Sequence, residues 1–279
     1  MAWNELRDVI RRARLLASGI LIGEIPGRNI RSLFCSIPDN VESTFSTTSC
    51  YMTWKSDWLP RSHANDLAKF ISDNSQFNFF FFDDDEQESW MQRHYSGTEL
   101  FFFYSHLKFP AAKSDIFRYC IVSEYGGTFL SINRLTHLSL ETLTENLTDF
   151  RISFSGVPYI RENDFFKDEE KYSGRAAIQY TICSPKKHPV LENAKQKFVE
   201  RAPLYWNKRV GKVNRGIWEL TGPYLLTDAI DEYLNSQNFS PEIYGYDFND
   251  SLWIPSRSHY RYLVSPSYMS FSNRILLGD

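Results

Sequence analysis

The chain of 279 residues has no excess of charge of either sign: 31 basic side chains stand against 34 acidic ones, a net charge of −3. A protein that binds nucleic acid over its whole surface is usually strongly positive, so nucleic acid is not an expected partner. Long hydrophobic runs are missing too. The longest apolar stretch near the start, Leu15 to Gly23, is broken by Ser18 and Gly19 and is too short to span a bilayer. Cysteine is scarce. Cys35, Cys50, Cys120 and Cys183 form no C-x-x-C pair and no zinc-finger spacing. Reduced thiols in a cytoplasmic protein are the expectation, and the N-x-S/T sequons at Asn146, Asn238 and Asn249 are then chance matches. The six histidines (His63, His94, His106, His137, His188, His259) show no local metal-ligand spacing. No P-loop, G-x-G-x-x-G, H-E-x-x-H or G-x-S-x-G occurs, which removes the usual nucleotide, zinc-protease and serine-hydrolase signatures.

What the chain does have is aromatic side chains: 22 Phe, 16 Tyr and 7 Trp. That excess suits a protein that stacks on rings or sugars, although most of these residues must fill a core. Hydrophobic residues at 42% are enough to build that core. No repeat, low-complexity tract or composition break divides the chain, so residues 33–279 read as a single domain. Residues 1–32 read as a basic amphipathic helix and linker, with six arginines against three acidic residues. Trp3, Leu6, Val9, Ile10, Ala13 and Leu16 recur at helical spacing over residues 2–17. Arg11, Arg12 and Arg14 precede an apolar stretch as in a signal peptide, but no small-residue cleavage site follows. Two readings are open for this helix: contact with a partner or, peripherally, with the inner face of an anionic membrane; or packing on its own domain with solvated arginines.

The middle of the chain alternates strand and helix signals. Residues 49–54 and the near-continuous apolar run 77–82 read as strands, the second buried on both faces. Asp83 to Glu86 stops it. Residues 64–72 carry apolar positions at helical spacing, and Pro110 opens a helix that runs to about Tyr125. Gly126 and Gly127 end it, and residues 128–132 form another strand. The series predicts an α/β domain with a mainly parallel sheet, whose ligands bind beyond the carboxyl ends of the strands. Residues 139–175 read as a long irregular loop with helical pieces. Pro189 and Pro223 open two further helices, and residues 243–272 show no clear period.

One run carries chemistry. Lys113-Ser114-Asp115-Ile116-Phe117-Arg118-Tyr119 leads through Tyr125-Gly126-Gly127-Thr128 to Ser131-Ile132-Asn133. Asp115 and Arg118 lie three apart on one helical face, so they can act together. On the strand that follows the glycines, Ser131 and Asn133 are two apart, so both side chains point the same way. This arrangement resembles the DXD sugar-transferase family, glycosyltransferase family 32-like, which includes the yeast Golgi initiating mannosyltransferase and bacterial capsular and lipopolysaccharide glycosyltransferases. Thr53-Trp54-Lys55-Ser56, Phe82-Asp83-Asp84-Asp85-Glu86, Thr221-Gly222-Pro223 and His259 fall in the family's order, over roughly residues 50 to 265.

The resemblance implies an α/β fold with a GT-A-like, Rossmann-type nucleotide-binding sheet and flanking helices. It implies transfer of a sugar, with retention of configuration, from a nucleotide-sugar donor to a glycan or lipid-linked acceptor in cell-surface polysaccharide biosynthesis. Asp115 and Arg118 would be catalytic. Thr53, Trp54, Tyr125, Gly126, Gly127, Ser131, Asn133, Gly222 and His259 would join them in binding the donor. The family also implies a divalent metal, manganese or magnesium, held by two aspartates of its D-x-D pair. Here Ser131 and Asn133 stand at those positions, and neutral oxygens hold a hard cation far more weakly than carboxylates. Three readings are open: donor binding without metal, with Arg134 or His259 offsetting the phosphates; metal ligands recruited from Asp83 to Asp85; or an inactive relative that serves as a sugar-binding or partner subunit.

Overall fold

A computed structural model of the chain describes residues 27–37, 46–155, 176–210, 213–236, 243–257 and 274–276, with isolated positions before residue 27. Its centre is a four-stranded sheet of β1 (Ser49–Thr53), β2 (Asn78–Phe82), β3 (Gly127–Leu130) and β4 (Thr181–Ser184), in the order β2-β1-β3-β4. β1 runs parallel to both neighbours, with Tyr51 opposite Phe80 on one side and Phe129 on the other. β4 closes the edge antiparallel to β3.

Helix α1 (Arg61–Asp73) links β1 to β2, and α2 (Asp84–Tyr95), α3 (Glu99–Ser105) and α4 (Pro110–Tyr125) lie between β2 and β3. The chain therefore leaves β1 toward one side and returns on the other. In such sheets the place of reversal, here beyond the carboxyl ends of β1 and β3, is where the crevice that takes ligands is expected. The remaining long helices are α5 (Pro189–Tyr205), α6 (Val213–Leu220) and α7 (Pro223–Ser236).

Both faces of the sheet are covered, which explains the unbroken apolar run of β2. Phe80, Phe82, Tyr51, Phe129 and Ile182 pack with α4, α5 and α7. Phe79, Phe81, Cys50, Met52 and Cys183 point the other way, toward Ala64, Leu67 and Phe70 of α1. Each fully buried phenylalanine contributes about 1.5–3 kcal/mol. Helix α4 is buried from Asp115 through Ser123, because it lies between the sheet and α5. Its two charged residues in that stretch, Asp115 and Arg118, are thus forced into the interior together.

Local chemistry fixes the element ends. Asp83 caps α2: its Oδ1 accepts from Glu86 N, and the Glu86 carboxylate accepts from Asp83 N. Arg31 grips the same pair, 2.9 Å from Asp83 and 2.9 Å from Glu86. Helix α4 stops at Gly126 (φ +72°) and Gly127 (φ +94°), a backbone that side chains rarely adopt. A Cβ on Gly127 would also stand 2.6 Å from Ser49 O.

Three expectations need correction. The stretch expected to be a loop with helical pieces does hold a helix, Leu140–Thr144, but it also holds a strand, Ile152–Phe154. That strand pairs in parallel with Ile243–Tyr246, in a region with no readable period. Strands of three and four residues are too short to display one. The strand expected to run to residue 132 ends at Leu130. Most of the expected N-terminal helix, residues 156–175 and His259 lie outside the described residues.

Candidate active site

The carboxyl edge of the sheet carries a continuous set of polar contacts. Thr53, at the end of β1, shares a hydrogen bond of 2.8 Å between its Oγ1 and Ser114 Oγ on α4. The next residue, Asp115, is 2.9 Å from Arg118 and accepts a 3.1 Å hydrogen bond from Thr221 Oγ1. Arg118 donates through Nε to Ser114 O and through Nη1 to Gln179 O, and its guanidinium lies 4.7 Å from the Phe129 ring centre. Tyr119 Oη donates to Thr221 O at 3.0 Å and to Gln179 Oε1 at 3.1 Å. The turn at Thr221-Gly222-Pro223 is thereby pinned against α4, which brings Gly222 to the same edge.

Asp115 and Arg118 are 5% and 8% exposed. Burial pushes the Asp115 carboxyl up to about 6, against the opposing pull of Arg118 and of the Thr221 hydroxyl. A carboxylate held by a guanidinium and a hydroxyl is a fixed acceptor. Its geometry suits orienting a ligand hydroxyl better than attacking one.

Ser131 and Asn133 sit beside this set. Ser131 N donates to Tyr180 O, one residue from the carbonyl that holds Arg118. They do not lie on a strand. Arg134 N donates to Ser131 O at 2.9 Å, closing a β-turn over 131–134, so the alternation expected of a strand does not aim their side chains. Ser131 Oγ instead faces the backbone, 3.4 Å from Asn133 N. The buried His63 of α1 steadies the turn through Nε2, 2.8 Å from Ile132 O. Asn133 Oδ1 is buried and has no hydrogen-bond partner. Arg134 borders the turn, and its guanidinium lies 5.8 Å from the Tyr180 ring centre.

Beyond the end of β2 lies a cavity of about 370 Å³ lined by Asp84, Asp85, Gln87, Glu88, Tyr104, Leu107, Lys108, Pro110 and Lys113. Its volume falls in the range of small-molecule sites. Burial, helped by Asp83 and Asp85, raises the Asp84 carboxyl, while Lys55 and Lys113 pull it down. Burial lowers the Lys55 ammonium, and Asp84 opposes that. Gln87 Oε1 and Tyr104 Oη are both buried without a hydrogen-bond partner.

The donor set offered by the described residues does not fit a resident divalent cation. No three His, Cys, Asp or Glu side chains among the described residues converge to hold one. Asp83 is engaged by the α2 cap and by Arg31. Ser131 and Asn133 offer neutral oxygens alone.

Of the other residues singled out in the sequence, Trp54 is half-buried just past β1, its N–H 3.4 Å from Phe82 O. Tyr125, Gly126 and Gly127 stand at the opposite, amino end of β3. There Tyr125 Oη is 2.7 Å from His94 Nε2, and a Cβ on Gly126 would come within 3.0 Å of Lys186 N. The structure does not bring these three to the crevice. Ser114, Lys55, His63, Gln179 and Thr221 were not singled out as site residues. Ser114, Lys55 and Thr221 stand inside the sequence motifs; nothing in the sequence marks His63 or Gln179.

The family model for the glycosyltransferase sugar-binding region containing DXD motif matches residues 46–146, from the approach to β1 to just past the 131–134 turn. Thr53, Ser114, Asp115, Arg118, Ser131 and Asn133 all fall within the matched segment, whereas Gln179 and Thr221 come from outside it. The chain is similar to the initiation-specific alpha-1,6-mannosyltransferase of Schizosaccharomyces pombe, 27% identical over 142 residues. The alignment covers 48% of this chain and 34% of that protein, so the chain spans about a third of the length of this curated relative. Among solved structures, PaToxG Glycosyltransferase aligns over 81% of each chain with a TM-score of 0.45 and 14% identity.

Proposed function

We propose that the chain is a glycosyltransferase that moves a sugar from a nucleotide-sugar donor to a glycan or lipid-linked acceptor, in cell-surface polysaccharide synthesis. The observation that carries this reading is the set Thr53, Ser114, Asp115, Arg118 and Thr221, joined by hydrogen bonds at the carboxyl edge of a sugar-binding family region. Thr53 and Trp54 border the base and ribose. Asp115, fixed by Arg118 and Thr221, accepts from a hydroxyl of the donor sugar and sets its orientation. The neutral oxygens of Ser131 and Asn133 take part as hydrogen-bonding groups. Lys55, two residues past the end of β1, and Arg134, at the end of the 131–134 turn, offset charge as it develops on the departing diphosphate. The cavity lined by Asp84, Glu88, Gln87 and Tyr104 offers carboxylates and unpaired oxygens to a polyhydroxylated acceptor. Retention of configuration follows the family resemblance.

Thermal melting with UDP, GDP, CMP and their sugars, in manganese and in chelator, tests the reading. One nucleotide should stabilise the protein by about 2.7 kcal/mol at a hundred times its dissociation constant. The gain should persist in chelator. Flat melting curves for every nucleotide would sink the transferase reading, and a gain confined to manganese would sink its metal-free form.

A further inference from the structure

We propose that the surface formed by the C-terminal ends of α3 and α5 docks the protein on an anionic lipid membrane. Phe102 and Leu204 are 50% and 60% exposed there, Phe102 midway along the short α3 and Leu204 at the end of α5, two helices that pack side by side. Trp206 braces them. Its ring stacks on Phe102 at 5.5 Å and meets His106 at 5.1 Å and Phe103 at 5.9 Å. The apolar tip is therefore held rigid and faces water.

Positive charge surrounds this tip. From Arg201 to Trp218 the sequence has five basic residues and no acidic one. Arg201 and Arg215 turn inward to Asp228 and Glu219. Lys208 and Arg209 remain exposed. Segment 274–276 gathers further charge at the same place. Lys108 N donates to Ile275 O, Asn207 N donates to Leu276 O, and Arg209 bridges to Arg274. Exposed Lys108 is thus brought to one side of the tip and Lys208 and Arg209 to the other. The acidic residues near it stand further back: Glu99 and Glu200 sit a turn back along α3 and α5, and Asp84, Asp85 and Glu88 line the cavity that Lys108 also borders.

An exposed aromatic and aliphatic tip ringed by Lys and Arg is the composition of segments that sit at a membrane interface. Three apolar side chains are too few to make a stable protein–protein contact, which buries about 1,200 Å² or more. A dense sheet of anionic headgroups supplies the missing attraction, about fivefold in affinity for each basic residue near it. No helix among the described residues is long and apolar enough to cross a membrane. The contact is therefore peripheral. It stands on this surface alone and does not rest on the transferase reading.

Flotation of the full chain with phosphatidylcholine vesicles, with and without phosphatidylglycerol, tests it. Binding should require phosphatidylglycerol and weaken as salt rises. Lys208→Glu with Arg209→Glu should lower partitioning at least about tenfold. Phe102→Ser with Leu204→Ser should do the same, and both pairs, being exposed, should leave melting and the nucleotide response near the parent's. Trp58→Ser, at an exposed aromatic on the strand paired with Asn29 and outside this surface, should change nothing. Equal binding to neutral vesicles, or unchanged binding in both paired variants, overturns the proposal. So does complete loss of binding on Arg11→Glu, Arg12→Glu and Arg14→Glu alone. A dimer in sedimentation equilibrium that Phe102→Ser dissolves, with no vesicle binding, would assign the patch to self-association instead and equally overturn it.

Discussion

The carboxyl edge of the central sheet and its amino edge are built from one stretch of chain, residues 110 to 133, by opposite means. At the carboxyl edge the work is done by side chains: Ser114, Asp115 and Arg118 from the first half of α4, and Ser131 and Asn133 from the turn after β3. At the amino edge it is done by backbone. Gly126 and Gly127 adopt positive φ where the helix reverses into the strand, and Gly127 passes so close to Ser49 that no side chain fits. Residues that look like one motif in sequence therefore divide into a ligand-facing group and a shape-keeping group, about one strand length apart. Variants at the two edges should separate binding from folding.

The largest effect is expected at Arg118. Removing it by Arg118→Ala leaves the buried Asp115 without its counter-charge, which costs about 3–5 kcal/mol. The cost should depend on pH. A carboxyl raised above its ordinary value favours the folded state while protonated; that contribution is complete below about 4 and is lost as pH rises through the folded value. In the parent protein that value is about 6. Without Arg118 it moves higher, so the deficit should be full at pH 7 and shrink toward pH 4. Urea denaturation at both pH values measures this. A deficit that is the same at both would mean that Asp115 does not feel Arg118 as a charge.

Gly127→Ala should have the next largest effect, and it probes the other edge. A β-carbon there meets Ser49 O at 2.6 Å and must take φ near +94°, a combination that costs about 1–3 kcal/mol. The protein that remains folded should keep its response to nucleotide, because nothing at the carboxyl edge has changed. Loss of that response well below the melting temperature would show that the two edges are not separable.

The same division explains what was legible in the sequence. The sheet core and α4 could be read, because Phe79 to Phe82 form an unbroken apolar run and Pro110 and Gly126 bracket the helix. Asp83 to Glu86 could be read in two ways. Asp-x-x-Glu is a helix cap as well as an acidic cluster, and the structure uses Asp83 and Glu86 as the cap. The aim of Ser131 and Asn133 was not legible. Strand alternation was carried past Leu130, where tertiary contacts from His63 and Tyr180 bend the chain into a turn. Thr221 and Gln179 reach Asp115, Arg118 and Tyr119 from 60 or more residues away, and no local pattern announces such contacts.

The smallest effect on stability, and the sharpest on binding, is expected at Asn133. Its Oδ1 is buried without a partner, and an unsatisfied buried acceptor costs about 1–3 kcal/mol. Asn133→Ala removes that cost together with the few contacts the side chain makes. Stability should therefore stay within about 0.5 kcal/mol of the parent or rise slightly. The turn itself does not depend on the amide, since it is closed by Arg134 N to Ser131 O and steadied by His63. Binding should respond differently. If Oδ1 accepts a hydroxyl of the bound nucleotide sugar, losing it should weaken affinity about three- to tenfold, the range of one ordinary hydrogen bond. Titration calorimetry and thermal melting on the same sample read the two quantities apart. A variant that loses 2 kcal/mol of stability with no loss of affinity would make Asn133 a turn residue, and the ligand-facing group at the carboxyl edge would shrink to the residues of β1, α4 and Thr221.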